Sequence, residues 1–223
     1  MTFHIITIFP GIFESYFNES IIRRAKDKEK IKIKIYNLRD WTADRHRTVD
    51  DSPYGGGAGM VMRAEPIFKA VEEIKKKIRG KGKARTILFS AKGRKYNQAA
   101  AEKLKKYKHV IMICGRYEGI DERVAEFLAD EEISIGDYVL TGGEIPAMII
   151  ADSVARLLPG VLGNKESLSF ESHGKEGALE YPHYTRPEIL TWKRKKMKVP
   201  QVLLSGNHAN IEEWRKKKSK IKK

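Results

Sequence analysis

Apolar residues fall along the chain in two different rhythms. Short continuous runs, Phe3 to Phe9, Thr86 to Ser90 and His109 to Cys114, predict strands buried on both faces. Elsewhere the apolar positions recur every three to four residues, as at 67, 68, 71, 74 and 78, and predict a helix over Glu65 to Ile78. Asn97 to Tyr107 reads as another helix, as does a short segment ending near Asp27 that Asn18 or Ser20 would cap. Gly143 to Leu158 is a strongly apolar helix closed by Pro159-Gly160. Ile31 to Tyr36 alternates isoleucine with lysine, the period of a half-exposed strand near a sheet edge. Strands alternating with helices predict an α/β fold with a mostly parallel sheet, and pattern alone suggests ordinary double winding.

Two stretches keep no period. Asn37 to Met62 is crowded with charges and ends in YGGGAGMVM, which predicts a long mobile loop, and loops of that length are usually functional. Its Gly55, Gly57 and Gly59 imitate a dinucleotide fingerprint, but that motif must directly follow an apolar strand and here Asp50-Asp51-Ser52-Pro53 precedes it. A nucleotide-dependent oxidoreductase is therefore set aside. Gly163 to Gly177 is polar and glycine-bearing and reads as a linker. The expected organisation is a larger α/β domain over 1–162, a linker over 163–177 and a small helical domain over 178–223. That last domain would hold helices at Pro187 to Lys196 and Ala209 to Lys218, with Val199 to Leu204 between them.

Composition sharpens the picture. Of the 223 residues 41% are apolar, enough for a real core. No apolar run approaches the roughly 20 residues of a membrane span, and MTFHIITIFP lacks the basic start of a signal peptide, so a cytoplasmic protein without a membrane partner is expected. Cys114 is the single cysteine and ends an apolar strand, where a buried thiol serves as a small hydrophobe. A net charge of +15 points to a polyanion, and nucleic acid suits it better than a membrane surface. From Thr191 to Lys223 there are twelve Lys/Arg against two Glu, interspersed with Trp192, His208 and Trp214, a mixture suited to RNA bases and phosphates.

The chemistry concentrates in ICGRYEGIDERVAEFLADEEISIGDYVLTGGEIP, residues 113 to 146. Gly115, Gly119, Gly136, Gly142 and Gly143 punctuate it, interleaved with charged and tyrosine side chains. Such turns at the carboxyl ends of parallel strands make a backbone-lined ligand pocket.

Several motifs in order, YGGGAGMVM (54 to 62), CGRYEGIDERV (114 to 124), SIGDYVLTGGEIPA (134 to 147), LPGVLG (158 to 163), YPHYTRP (181 to 187) and VLLSGNH (202 to 208), closely resemble the bacterial tRNA (guanine-N1)-methyltransferases, the TrmD family. The resemblance implies a SPOUT fold, whose parallel sheet is tied in a deep trefoil knot, and an obligate homodimer with sites shared between subunits. It implies transfer of a methyl group from S-adenosyl-L-methionine to N1 of the guanosine at tRNA position 37, beside the anticodon. It leaves room for Mg2+ but supplies no metal ligands. The motifs carry the donor-binding role onto Phe89, Ser90, Gly115, Glu118, Gly119, Ser134, Ile135, Tyr138, Leu140, Gly142 and Gly143, and approach to the target base onto Gly59. The chain departs from the family in Phe89-Ser90-Ala91-Lys92-Gly93, which replaces Leu-Ser-Pro-Gln-Gly, and in Ala58, where many members have proline. The rival reading is a noncatalytic RNA-binding protein that keeps the fold.

Guanine N1 carries a hydrogen at neutral pH, so its methylation needs a base, and a cation must hold the charge that moves to O6. By the same resemblance the cation is Arg156 in VARLLPG, and the family's base is an aspartate of the linker. No aspartate follows Asp152 in this chain. Among Glu166, Glu171, Glu176 and Glu180 the expectation falls on Glu171, because Glu171-Ser172 best matches the family's Asp-Ser.

Overall fold

The computed structural model describes residues 1–163 and 178–221, and the chain divides into two compact units, Met1–Gly163 and Asn164–Lys223. The first unit runs β1 (Thr2–Thr7), α1 (Glu14–Phe17), α2 (Ser20–Asp27), β2 (Lys32–Asn37), β3 (Asp50–Asp51), β4 (Val61–Met62), α3 (Ala64–Ile78), β5 (Ala84–Lys95), α4 (Gln98–Leu104), β6 (His109–Ile113), α5 (Glu122–Phe127), β7 (Glu131–Ser134) and α6 (Glu144–Ala155).

Five strands form one sheet in the order β2-β1-β6-β5-β7, and every pairing in it is parallel. Residues 3–7 of β1 and all of β6 are buried, as their unbroken apolar runs require of strands covered on both faces. The alternating β2 lies at the edge, as its lysines anticipate. Helix α3 packs Ile67, Val71 and Ile74 into a core with Ile6, Ile111 and Ile113. Helix α6, apolar nearly all round, packs against β1, α2 and α4. Because the strands are parallel, the chain leaves β1, β6, β5 and β7 along one edge of the sheet. The loops that carry the glycine-bearing motifs gather there.

Three expectations are corrected. Residues 37–62 are not one long loop: Leu38–Trp41 forms a 3-10 turn in which the Asn37 side chain accepts the Arg39 N–H, Val49 is buried, and β3 pairs antiparallel with β4. The charges hid a hairpin of two-residue strands, too short for periodicity to register. The sequence reading also passed over β7, whose EEIS opens on two acids. In the second unit the helix expected over Pro187 to Lys196 is instead a hairpin, β9 (Ile189–Trp192) against β10 (Lys195–Lys198), preceded by the short β8 (Ala178–Leu179). Lys193 and Arg194 both take positive φ, 47° and 64°, the backbone of a two-residue turn whose twist suits a hairpin. β-Branched and aromatic residues at 189, 191 and 192 favour the extended form. The second helix is present as α7 (His208–Lys218), with a 3-10 turn at Gln201–Leu204 before it and β11 (Lys220–Ile221) after. The glycine-bearing segment 164–177 lies outside the described residues.

Candidate active site

Three loops at the carboxyl edge of the sheet enclose a cavity of about 540 Å³, within the range of small-ligand pockets. The first interrupts β5. Both Phe89 and Arg94 pair with Ile133, so the residues between them bulge out of the ladder. The second joins β6 to α5, and the third joins β7 to α6. A Cβ on Gly93 would lie 2.6 Å from the backbone of Glu132 and Ile133, which shows how closely the first loop lies on the third strand.

The second loop is held on both sides. Gly143 donates its N–H to the Gly115 carbonyl at 3.0 Å, and a Cβ on Gly143 would stand 2.6 Å from the Cα of Cys114. Only glycine lets these two backbones meet. On the other side Glu118 N–H reaches Met60 O at 3.1 Å, Met62 N–H reaches Gly119 O at 2.9 Å, and Asp121 N–H reaches Met62 O at 3.0 Å. This short parallel bridge carries the glycine run of the β3–β4 hairpin to the cavity mouth. There Gly59, at φ +79°, faces Glu118, whose carboxylate would be 2.6 Å from any Cβ.

Beneath the loops lies a buried ion pair. Glu144, 2% exposed, opens α6 and receives the Arg116 guanidinium through Nε at 3.0 Å and Nη2 at 2.9 Å. Its other oxygen accepts the Thr7 hydroxyl at 2.7 Å. Arg116 also donates to the Thr141 carbonyl at 3.2 Å and lies over the Phe9 ring, 4.8 Å from its centroid. One carboxylate thus ties the end of β1 to the second and third loops, and sits where a helix N-terminus welcomes negative charge. Burial pushes the neighbouring Cys114 thiol well above its ordinary pKa, so it is no nucleophile.

Comparison with known proteins meets this geometry directly. A family model described as tRNA (Guanine-1)-methyltransferase TrmD matches residues 1–223. The chain belongs to this family. It is 56% identical over 215 residues to the tRNA (guanine-N(1)-)-methyltransferase of Dictyoglomus turgidum, covering 96% of this chain and 83% of that protein. It is 52% identical over 219 residues to the enzyme of the same name from Anoxybacillus flavithermus, covering 98% and 86%. A third such protein, from Dehalococcoides mccartyi, is 51% identical over 220 residues, again 98% and 86%.

Each of the positions that the TrmD motifs single out for the donor lines the one cavity: Phe89 and Ser90 from the first loop, Gly115, Glu118 and Gly119 from the second, and Ser134, Ile135, Tyr138, Leu140, Gly142 and Gly143 from the third. Ser134 and Tyr138 are occupied locally: the Ser134 hydroxyl donates to Gly136 O at 3.0 Å, and the Tyr138 hydroxyl to Ile135 O at 3.3 Å. Gly59 stands at the mouth against Glu118. Arg156 does not line the cavity; it caps α6 at the opposite end from Glu144. Glu171 lies outside the described residues. Sequence reasoning missed Arg116, Glu144 and Thr7 as a unit. The signal was an arginine and a glutamate beside the key glycines of GRYEG and TGGEIP, but nothing in the sequence pairs them across 28 residues. Among the described residues no group of three or more His, Cys, Asp or Glu side chains could hold a metal ion. No described helix is long and apolar enough to cross a membrane.

Proposed function

We propose that this chain is an S-adenosylmethionine-dependent tRNA (guanine-N1)-methyltransferase that modifies the guanosine at position 37, acting in the cytoplasm. The observation that carries the reading is the convergence of the donor motifs of three separate loops on a single cavity, in a chain that belongs to the TrmD family throughout its length. The cavity fits the donor chemically. Glycine backbones at 115, 119 and 142 offer N–H and C=O groups to an adenine edge, Ile135 and Leu140 offer apolar surface, and Glu118 offers a carboxylate to the ammonium end. The bulk of the sheet edge keeps water from one side. When bound, S-adenosyl-L-methionine supplies a methyl group activated by its sulfonium. The return of the third loop onto Gly115 supports the SPOUT knot, which a pattern-based reading excludes by default.

The site is completed by a second copy of the chain. Arg156 stands at the far end of a helix of 12 residues from Glu144, a separation of about 18 Å at 1.5 Å per residue. Arg156 therefore serves the cavity of a partner rather than its own. The surface for such a partner exists: Phe9, Ile12, Ile145 and Ile149 are exposed, and the 3-10 turn of Pro10–Phe13 packs beside α6. In the composite site Glu171 takes the proton from guanine N1, and the Arg156 guanidinium, permanently charged, holds the charge developing on O6. Residues 1–162 form the catalytic domain, 163–177 the linker that brings Glu171, and 178–223 a basic domain for the tRNA.

The test is calorimetry with S-adenosylmethionine followed by methyl transfer to a tRNA transcript bearing guanosine 37. Absence of both binding heat and transfer by the folded full chain would remove the reading; heat without transfer would favour the noncatalytic alternative. Replacing Glu171 by Gln is expected to slow single-turnover transfer by about 10²–10⁴-fold and leave donor affinity unchanged, whereas the Gln variants of Glu166 and Glu176 keep the rate. A Glu171 variant as fast as the parent overturns that assignment.

A further inference from the structure

The β3–β4 hairpin carries at its tip a side chain that the donor cavity does not use. Tyr54 is the most exposed large apolar side chain among the described residues. It opens the glycine run, after Pro53, whose carbonyl accepts the N–H of Gly56 at 3.3 Å to close the turn. A Cβ added at Gly55 or Gly56 would meet nothing within 4 Å, so the tip projects away from the body. Its other arm does not float. Residues 60 and 62 are bonded to the loop 118–121 through the three backbone hydrogen bonds described above, and Gly59 abuts Glu118 at the cavity mouth. Tyr54 is five residues from Gly59, hence within about 17 Å of the mouth even if the chain were fully extended.

An aromatic ring fully in water, on a tip whose base is fixed against an active-site loop, has a large favourable contact still to make. The surroundings say with what. Arg45, His46 and Arg47 are exposed in the same segment, the Tyr54 hydroxyl lies within electrostatic reach of the exposed Arg123 at the start of α5, and the whole chain carries +15. Acidic groups share this surface: Asp40 pairs with Arg47 at 2.9 Å, Asp121 pairs with Arg123 at 2.6 Å, and Asp44, Asp50 and Asp51 lie in the same segment as the ring. A fully exposed ring on a chain of net charge +15 suits a polyanion with flat faces, and single-stranded RNA loops are recognised by stacking their unpaired bases on aromatic side chains. We infer that Tyr54 is a stacking platform for an unpaired base next to the target guanosine, fixing which nucleotide of the loop is presented to the cavity. The inference rests on the proposed methyl transfer to tRNA and adds a positioning residue to it.

Base–aromatic stacking lost on alanine substitution corresponds to about a 5- to 150-fold change in affinity. In the full chain, Tyr54→Ala is expected to raise the KM for tRNA by that factor with donor affinity unchanged, while Tyr54→Phe and Tyr54→Trp, which keep a ring, restore it. Transcripts carrying 2-aminopurine at position 36 or at position 38 give a direct signature: the fluorescence of one of them is quenched by the parent and by Tyr54→Phe, but not by Tyr54→Ala. If Tyr54→Ala keeps the parental KM, or if quenching is the same for all variants, the inference is wrong. If the parent itself does not methylate tRNA, it is the proposed function that fails, so the two failures are told apart.

Discussion

At the scale of single residues the active-site edge is held by one carboxylate. Glu144 is buried and accepts from Arg116 and Thr7, so removing it leaves a guanidinium with 18% of its side chain exposed and no carboxylate beside it, and a Thr7 hydroxyl that still accepts the Phe9 N–H but has lost its acceptor. Breaking a buried pair in this way costs about 3–5 kcal/mol, against about 1.5–3 kcal/mol for the charge-assisted hydrogen bond that Thr7 donates to the carboxylate. Glu144→Ala is therefore expected to lower the melting temperature severely and weaken donor binding, with Thr7→Val milder; equal melting of the two variants would refute the ranking. A second residue-scale device sits elsewhere in the sheet. His4 bonds Tyr36 Oη through Nδ1 at 3.0 Å and His109 Nδ1 through Nε2 at 3.1 Å, and His109 Nε2 lies 3.3 Å from Lys81 O. The carbonyl can only accept, so His109 donates to it from Nε2, His4 donates to His109, and Tyr36 donates to His4. Burial, then the neighbouring His109 and Lys34, bring the His4 pKa down to about 4 from an ordinary 6.5; burial also lowers that of His109. The fold refuses a proton that the unfolded chain accepts, so this stability is complete above pH 6.5 and is lost as pH falls toward 4. The loss from His4 is at most about 3 kcal/mol. Urea midpoints at pH 7 and pH 5 should drop more in the parent than in His4→Gln, and parallel profiles would exclude the histidine as the cause.

At the scale of elements, legibility followed length and period. Helix α3 and strands β1 and β6 could be read because each repeats its pattern long enough to exceed chance, and the alternation in β2 placed it at an edge. The pairs β3–β4 and β9–β10 could not, because two- to four-residue strands carry no measurable period and their register is set by turn geometry. Lys193-Arg194 is an improbable pair for positive φ, where Asn-Gly is favoured, so the tail's charge masked its turn. The candidate site divides the same way. The glycines of the second and third loops are local signals, visible because five of them crowd one short span among polar side chains. The Arg116–Glu144 pair is tertiary: it exists because α6 begins beside the end of β6, a fact of topology rather than spacing. That eleven motif positions meet in one cavity could be anticipated only through family resemblance, since no periodicity relates residues 89, 115 and 140.

At the scale of the whole molecule the unresolved chemistry is one of distance. A donor cavity at the amino end of α6 and an arginine at its carboxyl end are separated by the length of the helix, and no side chain spans about 18 Å. If Arg156 acts in the reaction, it acts on the cavity of another copy. Each homodimer then holds two sites, each needing one chain's loops and the other chain's Arg156. Gly143→Val destroys the loops, since a side chain at 143 collides with the backbone of Cys114 and Gly115, and the same chain still offers an intact Arg156. Arg156→Ala leaves the loops and removes the cation. Each homodimeric variant is expected to be inactive. When the two are unfolded and refolded together in equal amounts, half of the dimers are mixed, and each mixed dimer contains one site with both defects and one with neither. Activity should therefore return to about one quarter of the parent's, from half the dimers working at half capacity. Refolded mixtures whose mixed dimers are confirmed by differential tagging and which stay inactive would mean that the sites are self-contained, and that Arg156 belongs only to the end of its helix.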